Sequence, residues 1–269
     1  MYLRGDKKTY TALGIGVVVV ILIFWLANSH RGASCNVAYI PLHGYLTTYI
    51  PDSEATSTGN SADQTASEDV TAAIRQASAD PSIKAIVLEV DSGGGSPVGG
   101  QEIELALKRT QKPTVALIRS EGDSAAYMAA TGADTIFASV FSDVADIGIT
   151  ESYVDNAQQD VTNGLTFNQL SVGKYKDMFD LDKPMTADEK ALAMKELQVG
   201  YQDFVQIVAT NRHMSLDKAT ALANGASLTG EEGVQAGLID KIGNVDDVRG
   251  YLSGQLKESV VICGIDTVQ

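Results

Sequence analysis

The chain has 269 residues, 44% of them hydrophobic, which is enough to bury one large core or at most two small ones and excludes a chain that is disordered throughout. Twenty Lys and Arg against 34 Asp and Glu give a net charge of -14, and so acidic a chain is excluded as a binder of phosphate backbones; nucleic acid is not an expected partner. Two cysteines, Cys35 and Cys263, make neither a disulfide framework nor a zinc site, and only three histidines occur, His30, His43 and His213.

From residue 12 to 27 the sequence ALGIGVVVVILIFWLA carries no charge, and with Tyr10 and Thr11 it approaches the roughly 17 residues that span a bilayer. Arg4, Lys7 and Lys8 precede it and Trp25 lies near its far end. The positive-inside rule therefore predicts a cytoplasmic segment over 1–9, one transmembrane helix over 10–28, and an extracytoplasmic domain over 29–269. A cleaved signal peptide shares the charged start, but Ala-Asn-Ser after Leu26 is a poor cleavage site. His30 and Arg31 separate the apolar run from Cys35, which argues against a lipoprotein cysteine. Outside the cytoplasm a disulfide is permitted. Cys35 and Cys263 lie in strand-like runs at the two ends of the domain, where a bridge and two separately buried thiols fit the sequence equally.

A short strand pattern over 37–42 leads into a Ser-, Thr-, Asp- and Gly-rich stretch, 52–68, which reads as a mobile surface loop. Apolar runs over 85–90, 114–118 and 135–138 then alternate with helical patterns over 69–79, 98–110 and 124–131. Continuous apolar strands separated by helices indicate parallel βαβ units, so the expected class is α/β. The last third is helical: Thr186-Ala-Asp-Glu189 is a capping box, followed by an apolar stripe of Met194, Leu197, Tyr201, Phe204, Val205 and Val208, and a shorter helix begins at Ser215.

Chemistry belongs where the strands end. After the run ending at Val90 comes Asp91-Ser92-Gly93-Gly94-Gly95-Ser96-Pro97. Ser96 as cap and Pro97 at the first helical position aim glycine N–H groups and a helix N-terminus at one point, which suits an anion or an oxyanion. A Gly-Lys-Ser/Thr sequence is missing and the spacing is not Gly-x-Gly-x-x-Gly, so a nucleotide loop is not indicated. A tight turn with no ligand explains the glycines as well. The next strand ends in Glu121-Gly122-Asp123-Ser124-Ala125-Ala126-Tyr127. A serine at a strand-to-helix turn, with the N–H of Ala125 beside it, is nucleophile geometry, although helix capping is a simpler role for the same residue. Between His43 and His213 the chain has no histidine, so a Ser-His triad is not expected. Lysine is the alternative base when burial favours its neutral form, and Gly173-Lys174-Tyr175-Lys176 offers two.

Taken in order, VLEVDSGGGS, GDSAAYMAATGADTIFA, DIGIT, SVGKYKDMF, MTADEK and TGEEGVQAGLIDKIG resemble the signal peptide peptidase A family, bacterial membrane-bound Ser/Lys proteases of the Clp protease/crotonase superfamily. The resemblance covers about 37–248. It implies a crotonase-like βαβ superhelix with a helical C-terminal part. It also implies Ser124 as nucleophile, Lys176 rather than Lys174 as base, and an oxyanion hole from the N–H groups of Gly95 and Ala125. No metal or cofactor is implied. The implied substrates are remnant signal peptides and other unfolded membrane-proximal segments. The implied assembly is a homo-oligomeric ring at the cell membrane, with serine and lysine of one site from adjacent subunits.

Three departures stand out: Ser-Ala-Ala-Tyr for the family's Ser-Gly-Gly-Tyr, Ser92-Gly93-Gly94-Gly95 for Ser-Pro-Gly-Gly, and Ala145-Asp146-Ile147-Gly148 for Gly-Ser-Ile-Gly. The family serine at that position helps to hold the lysine, so the resemblance implies a carboxylate beside Lys176, which favours the ammonium and opposes base function near neutral pH. Two alternatives follow: a catalytically impaired ring that binds or scaffolds peptides, and an acyl-CoA enzyme on the same fold. An anchored extracytoplasmic domain argues against the second, because coenzyme A is intracellular.

Overall fold

The computed structural model describes residues 35–51 and 64–264. The expected cytoplasmic segment and transmembrane helix, and residues 52–63 of the polar stretch, lie outside them. Among the described residues no helix is long and apolar enough to cross a membrane.

The chain runs β1 (Val37–Thr47), β2 (Gln64–Ala66), α1 (Ser67–Ala79), β3 (Ala85–Gly95), α2 (Pro97–Arg109), β4 (Thr114–Asp123), α3 (Ser124–Ala130) and β5 (Thr135–Ala138). It continues through β6 (Asp143–Ala145), α4 (Ala157–Thr162), α5 (Ala187–Asn211), α6 (Leu216–Leu222), β7 (Ser227–Thr229), α7 (Gly230–Ala236), β8 (Lys241–Ile242), α8 (Val245–Leu256) and β9 (Ile262–Gly264). The main path of the sheet is β2-β1-β3-β4-β5-β8. Its pairs are parallel, with Leu42 opposite Val90 and Leu88 opposite Ala116.

Why these runs make a two-sided sheet follows from their alternation. Ile40, Leu42, Ile86, Leu88 and Ile118 face one core, shared with Ile74 of α1, Ile103 of α2, Ala126 of α3 and Val208 of α5. Val37, Val87, Val115, Leu117 and Phe137 face the other way, onto Val248 and Leu252 of α8. With apolar partners on both faces, the strands read as unbroken apolar runs. Ser96 caps α2, its Oγ accepting from the N–H of Gly99 at 3.2 Å, with Pro97 at the first position. Thr186 and Glu189 form both halves of the capping box that starts α5.

Three expectations are corrected. The strands over 37–42, 85–90 and 114–118 each run about five residues further, through residues whose polarity or small size hides them from an apolar count. The register shifts between His43 and Tyr45 and between Val90 and Ser92, and such bulges let a strand bend and change partners. Past its bulge β4 leaves β5 and pairs with β6, Glu121 opposite Asp143. Second, the polar stretch does not remain a loop to 68. Thr65 Oγ1 donates to the carbonyl of His43 at 2.7 Å and accepts from its N–H at 3.0 Å, seating β2 on the edge of β1, and buried Ser67 opens α1. Third, the stripe on α5 is buried only from its middle onward: Phe204, Val205 and Val208 are buried, whereas Met194 is 61% exposed. The first half of α5 packs on no core cluster among the described residues.

Cys35 and Cys263 are joined by a disulfide with a Cα–Cα distance of 5.8 Å, and β9 lies parallel to the start of β1, Ala38 opposite Cys263. The bridge ties positions 228 residues apart, a loop long enough to restrict the unfolded chain strongly. Cys35→Ser with Cys263→Ser is expected to cost about 2–4 kcal/mol, read as a fall in Tm that dithiothreitol reproduces in the natural protein and not in the variant. An unchanged Tm would contradict a structural role for the bridge.

Candidate active site

The bulged ends of β1, β3 and β4 converge with the start of α3. Ser124 is the first residue of α3 and has φ of 51°, a left-handed conformation that is costly for a residue with a side chain and persists only where its surroundings impose it. The constraint comes from the glycine turn. A Cβ on Gly94 would lie 2.8 Å from Ser124 Cβ and 3.0 Å from the Ala125 nitrogen, and one on Gly95 would lie 2.2 Å from the Leu46 carbonyl oxygen. Both glycines have positive φ, 100° and 147°. Buried Ser92 fastens the turn, its Oγ donating to the Gly44 carbonyl at 2.5 Å and accepting from the Gly94 N–H at 3.1 Å. Behind the serine, Tyr127 is fully buried and donates to the Leu238 carbonyl at 2.9 Å, locking α3 to the C-terminal third.

Ser124 opens onto a cleft of about 660 Å3. Gly95 and Asp146 line it with Ser124, as do Tyr45, Tyr201 and the Asn224-Gly225 turn. Three of the expected site residues thus meet in one cleft, and Ala125 is the residue next to the serine. Lys176 is not among the lining residues; it lies exposed in the turn-rich stretch 171–180. Lys174 pairs with Asp188 at 2.6 Å, and this hydrogen bond holds its ammonium above the usual lysine range. His43 bonds Glu89 at 3.0 Å and His213 follows α5; neither lines the cleft.

The electrostatics around the serine are acidic. Asp123 is 8% exposed. Its Oδ2 accepts from Ser227 Oγ at 3.2 Å, and its Oδ1 has no hydrogen-bond partner among the described residues. Burial raises the Asp123 carboxyl, the Ser227 bond offsets part of that, and Asp146, Asp143 and Glu121 push it further, to about 6. Burial also raises Asp146. Tyr45, Tyr201, Asn224, Gly225 and Ser227 escaped the sequence reading as site residues. Asn-Gly signals only a turn, and tertiary contacts bring it beside the strand ends.

Comparison with known proteins places the fold first. A ClpP1 mutant from Listeria monocytogenes superposes with a TM-score of 0.51 at 14% identity, covering 77% of this chain and 92% of that one; the fold is a mixed α/β fold like that of ClpP. Residues 106–258, more than half of the chain, match peptidase family S49, and the chain belongs to that family. An archaeal relative from Methanocaldococcus jannaschii, provisionally named a protease, is 33% identical over 173 residues, 62% of this chain and 55% of that protein. Protease 4 of Salmonella typhi is 32% identical over 203 residues, 74% of this chain and 32% of that protein. The chloroplastic serine protease SPPA of Arabidopsis thaliana is 28% identical over 60% of this chain and 24% of that protein. The chain thus spans little more than half of the first of these relatives and a third or less of the other two.

The proton on Asp123 gives a stability signature. The native state holds it more tightly than the unfolded chain does, so ionisation costs stability as pH rises from about 4 to about 6, by up to about 3 kcal/mol. Between pH 3.5 and 7.5, denaturation of the natural protein should lose that amount relative to Asp123→Asn. Parallel pH dependences would show that the carboxylate is solvated.

Proposed function

We propose that the protein is a membrane-anchored serine endopeptidase that hydrolyses remnant signal peptides or other unfolded membrane-proximal peptides with a Ser124/Lys176 dyad. The observation that carries this reading is Ser124 in a left-handed turn at the head of α3, pressed under the Gly94–Gly95 backbone and open to the cleft. Lys176 takes the Ser124 Oγ proton as Oγ attacks the peptide carbonyl carbon. The N–H groups of Gly95 and Ala125 receive the oxyanion. Collapse of the tetrahedral adduct expels the amine, which takes the proton back from the ammonium, and leaves an ester on Ser124. Water, deprotonated by the same lysine, then hydrolyses the ester and frees the serine.

The separation of Lys176 from the cleft fits a site completed by a neighbouring subunit. A few residues before Lys176 in the chain, the apolar side chains Leu170 and Val172 are 100% and 98% exposed, which is compatible with a surface that another chain covers. Lys174, engaged with Asp188, is the poorer base of the two. The disulfide supports an extracytoplasmic location, where such bonds persist. Membership of a peptidase family weighs against the acyl-CoA alternative. Asp146 in the cleft favours a second reading, a ring that binds peptides with little turnover, because a carboxylate near the base stabilises the ammonium.

Ser124→Ala and Lys176→Ala should each abolish hydrolysis of an unfolded peptide substrate, while Lys174→Ala keeps most of it. Mixing the two inactive proteins should restore part of the activity. Absence of rescue in verified mixed oligomers places both groups in one subunit, and equal loss from Lys174→Ala overturns the assignment of the base. Asp146→Ser removes the charge and should move the acid limb of kcat/KM to lower pH, by about one unit for each 1.4 kcal/mol of interaction removed. Superimposable profiles would show that Asp146 does not act on the base, and hydrolysis that stays absent in both proteins would favour the peptide-binding ring.

A further inference from the structure

We propose that Asp146 makes the Ser124 cleft selective for peptides carrying a lysine or arginine side chain close to the scissile bond; the inference rests on the peptidase reading above and names its substrate class. Among the described residues that line the cleft, Asp146 alone has a charged side chain. None of the ion pairs among the described residues involves it. Ala145 and Asp146 both have positive φ, 84° and 42°, an unfavourable pair of conformations that is maintained where it sets the carboxylate at the cleft wall.

Space beside this carboxylate is held open by glycines. A Cβ on Gly225 would come 4.0 Å from Asp146 Oδ1, and one on Gly148 would come 3.3 Å from the Gly225 Cα. Tyr45 and Tyr201 line the same cleft and offer apolar surface for a long aliphatic stem with a charged tip. More negative charge surrounds the site without neutralising it: Glu121 Oε2 would lie 3.5 Å from a Cβ on cleft-lining Gly93, and Asp123 is the residue before the serine.

The counter-ion argument is chemical. A lysine able to take the serine proton must be neutral before the transfer, so it does not balance Asp146 in the substrate complex. Among the described residues the cleft supplies no cation, and a half-buried carboxylate without a partner is unfavourable. A substrate guanidinium or ammonium meets that need, and an uncharged isostere does not. The discrimination is also separable from any effect of Asp146 on the base, because a change in the base alters all substrates alike and cancels in a ratio between two of them.

The test uses internally quenched peptides in matched pairs, identical except for arginine or its uncharged isostere citrulline, at each of the three residues on the acyl side of the cut. Turnover is measured with the full chain, and binding of the same peptides with Ser124→Ala. At one position arginine should exceed citrulline by roughly three- to fivefold in kcat/KM or in affinity, the range expected of a partly screened charge pair. Asp146→Asn and Asp146→Ser should each bring that ratio to about one, and raised salt should shrink it in the natural protein. Turnover with a ratio near one at every position, or a ratio unchanged by both variants, overturns the inference and leaves the peptidase reading standing. Arginine-selective binding without turnover supports the inference and overturns the peptidase reading. Equal binding of both peptides without turnover overturns both.

Discussion

The approach of the Gly94–Gly95 backbone to Leu46 on one side and to the Ser124–Ala125 step on the other is the constraint on which the rest of the site depends. No side chain fits there: a Cβ on either glycine would lie under 3.0 Å from neighbouring atoms. Because the end of β3 passes so close, α3 begins directly at the end of β4 without a relaxing turn, and Ser124 takes up the mismatch as a positive φ. Ser92 and Gly44 hold the turn from the β1 side, and the Tyr127 bond to Leu238 holds α3 from behind. A strained serine costs of order 1–3 kcal/mol, a cost the surrounding core covers because α3 is almost wholly buried from Ala125 to Ala130.

The same strand ends collect negative charge. Asp123, Asp143 and Asp146 come together because β4 turns from β5 to β6 beyond its bulge, and β6 in turn pairs with β7, which brings Ser227 to Asp123. In an oxyanion-forming site this arrangement works against the chemistry, so the donors proposed here, the N–H groups of Gly95 and Ala125, would act against an unfavourable background. A substrate cation relieves that background, and this links the architecture of the strand ends to the proposed preference for basic peptides.

Much of the architecture was legible because its causes are local. Apolar runs near residues 88, 116 and 136 identify central strands, Ser96-Pro97 and Thr186-Ala-Asp-Glu189 announce helix starts, and the glycine run marks a close backbone approach. The strand extensions past Val90 and Ile118 were not legible, since hydrogen bonding continues through residues that carry no apolar signal. Neither was β2, which depends on Thr65 bonding to His43, a long-range contact. At the site, Ser124, Gly95 and Asp146 could be named from motif context, and the structure gathers them. Tyr201 and Asn224 could not, because only the packing of α5 and α6 against the sheet brings them near. An exposed Lys176 is the plain reading of the polar Lys-Tyr-Lys run, and the resemblance implied serine and lysine from adjacent subunits; the geometry of such an assembly is not written in one chain.

If the proposed function holds, the strained Ser124 hydroxyl is a nucleophile and not a helix cap. Treatment of the full chain with a peptidyl fluorophosphonate, followed by mass spectrometry of the digest, tests it most directly. One phosphonyl adduct is expected, on the peptide containing Ser124, with its loss in Lys176→Ala while the fold stays intact. Unmodified Ser124 at saturating reagent in correctly assembled protein, or an adduct confined to another serine, would contradict it.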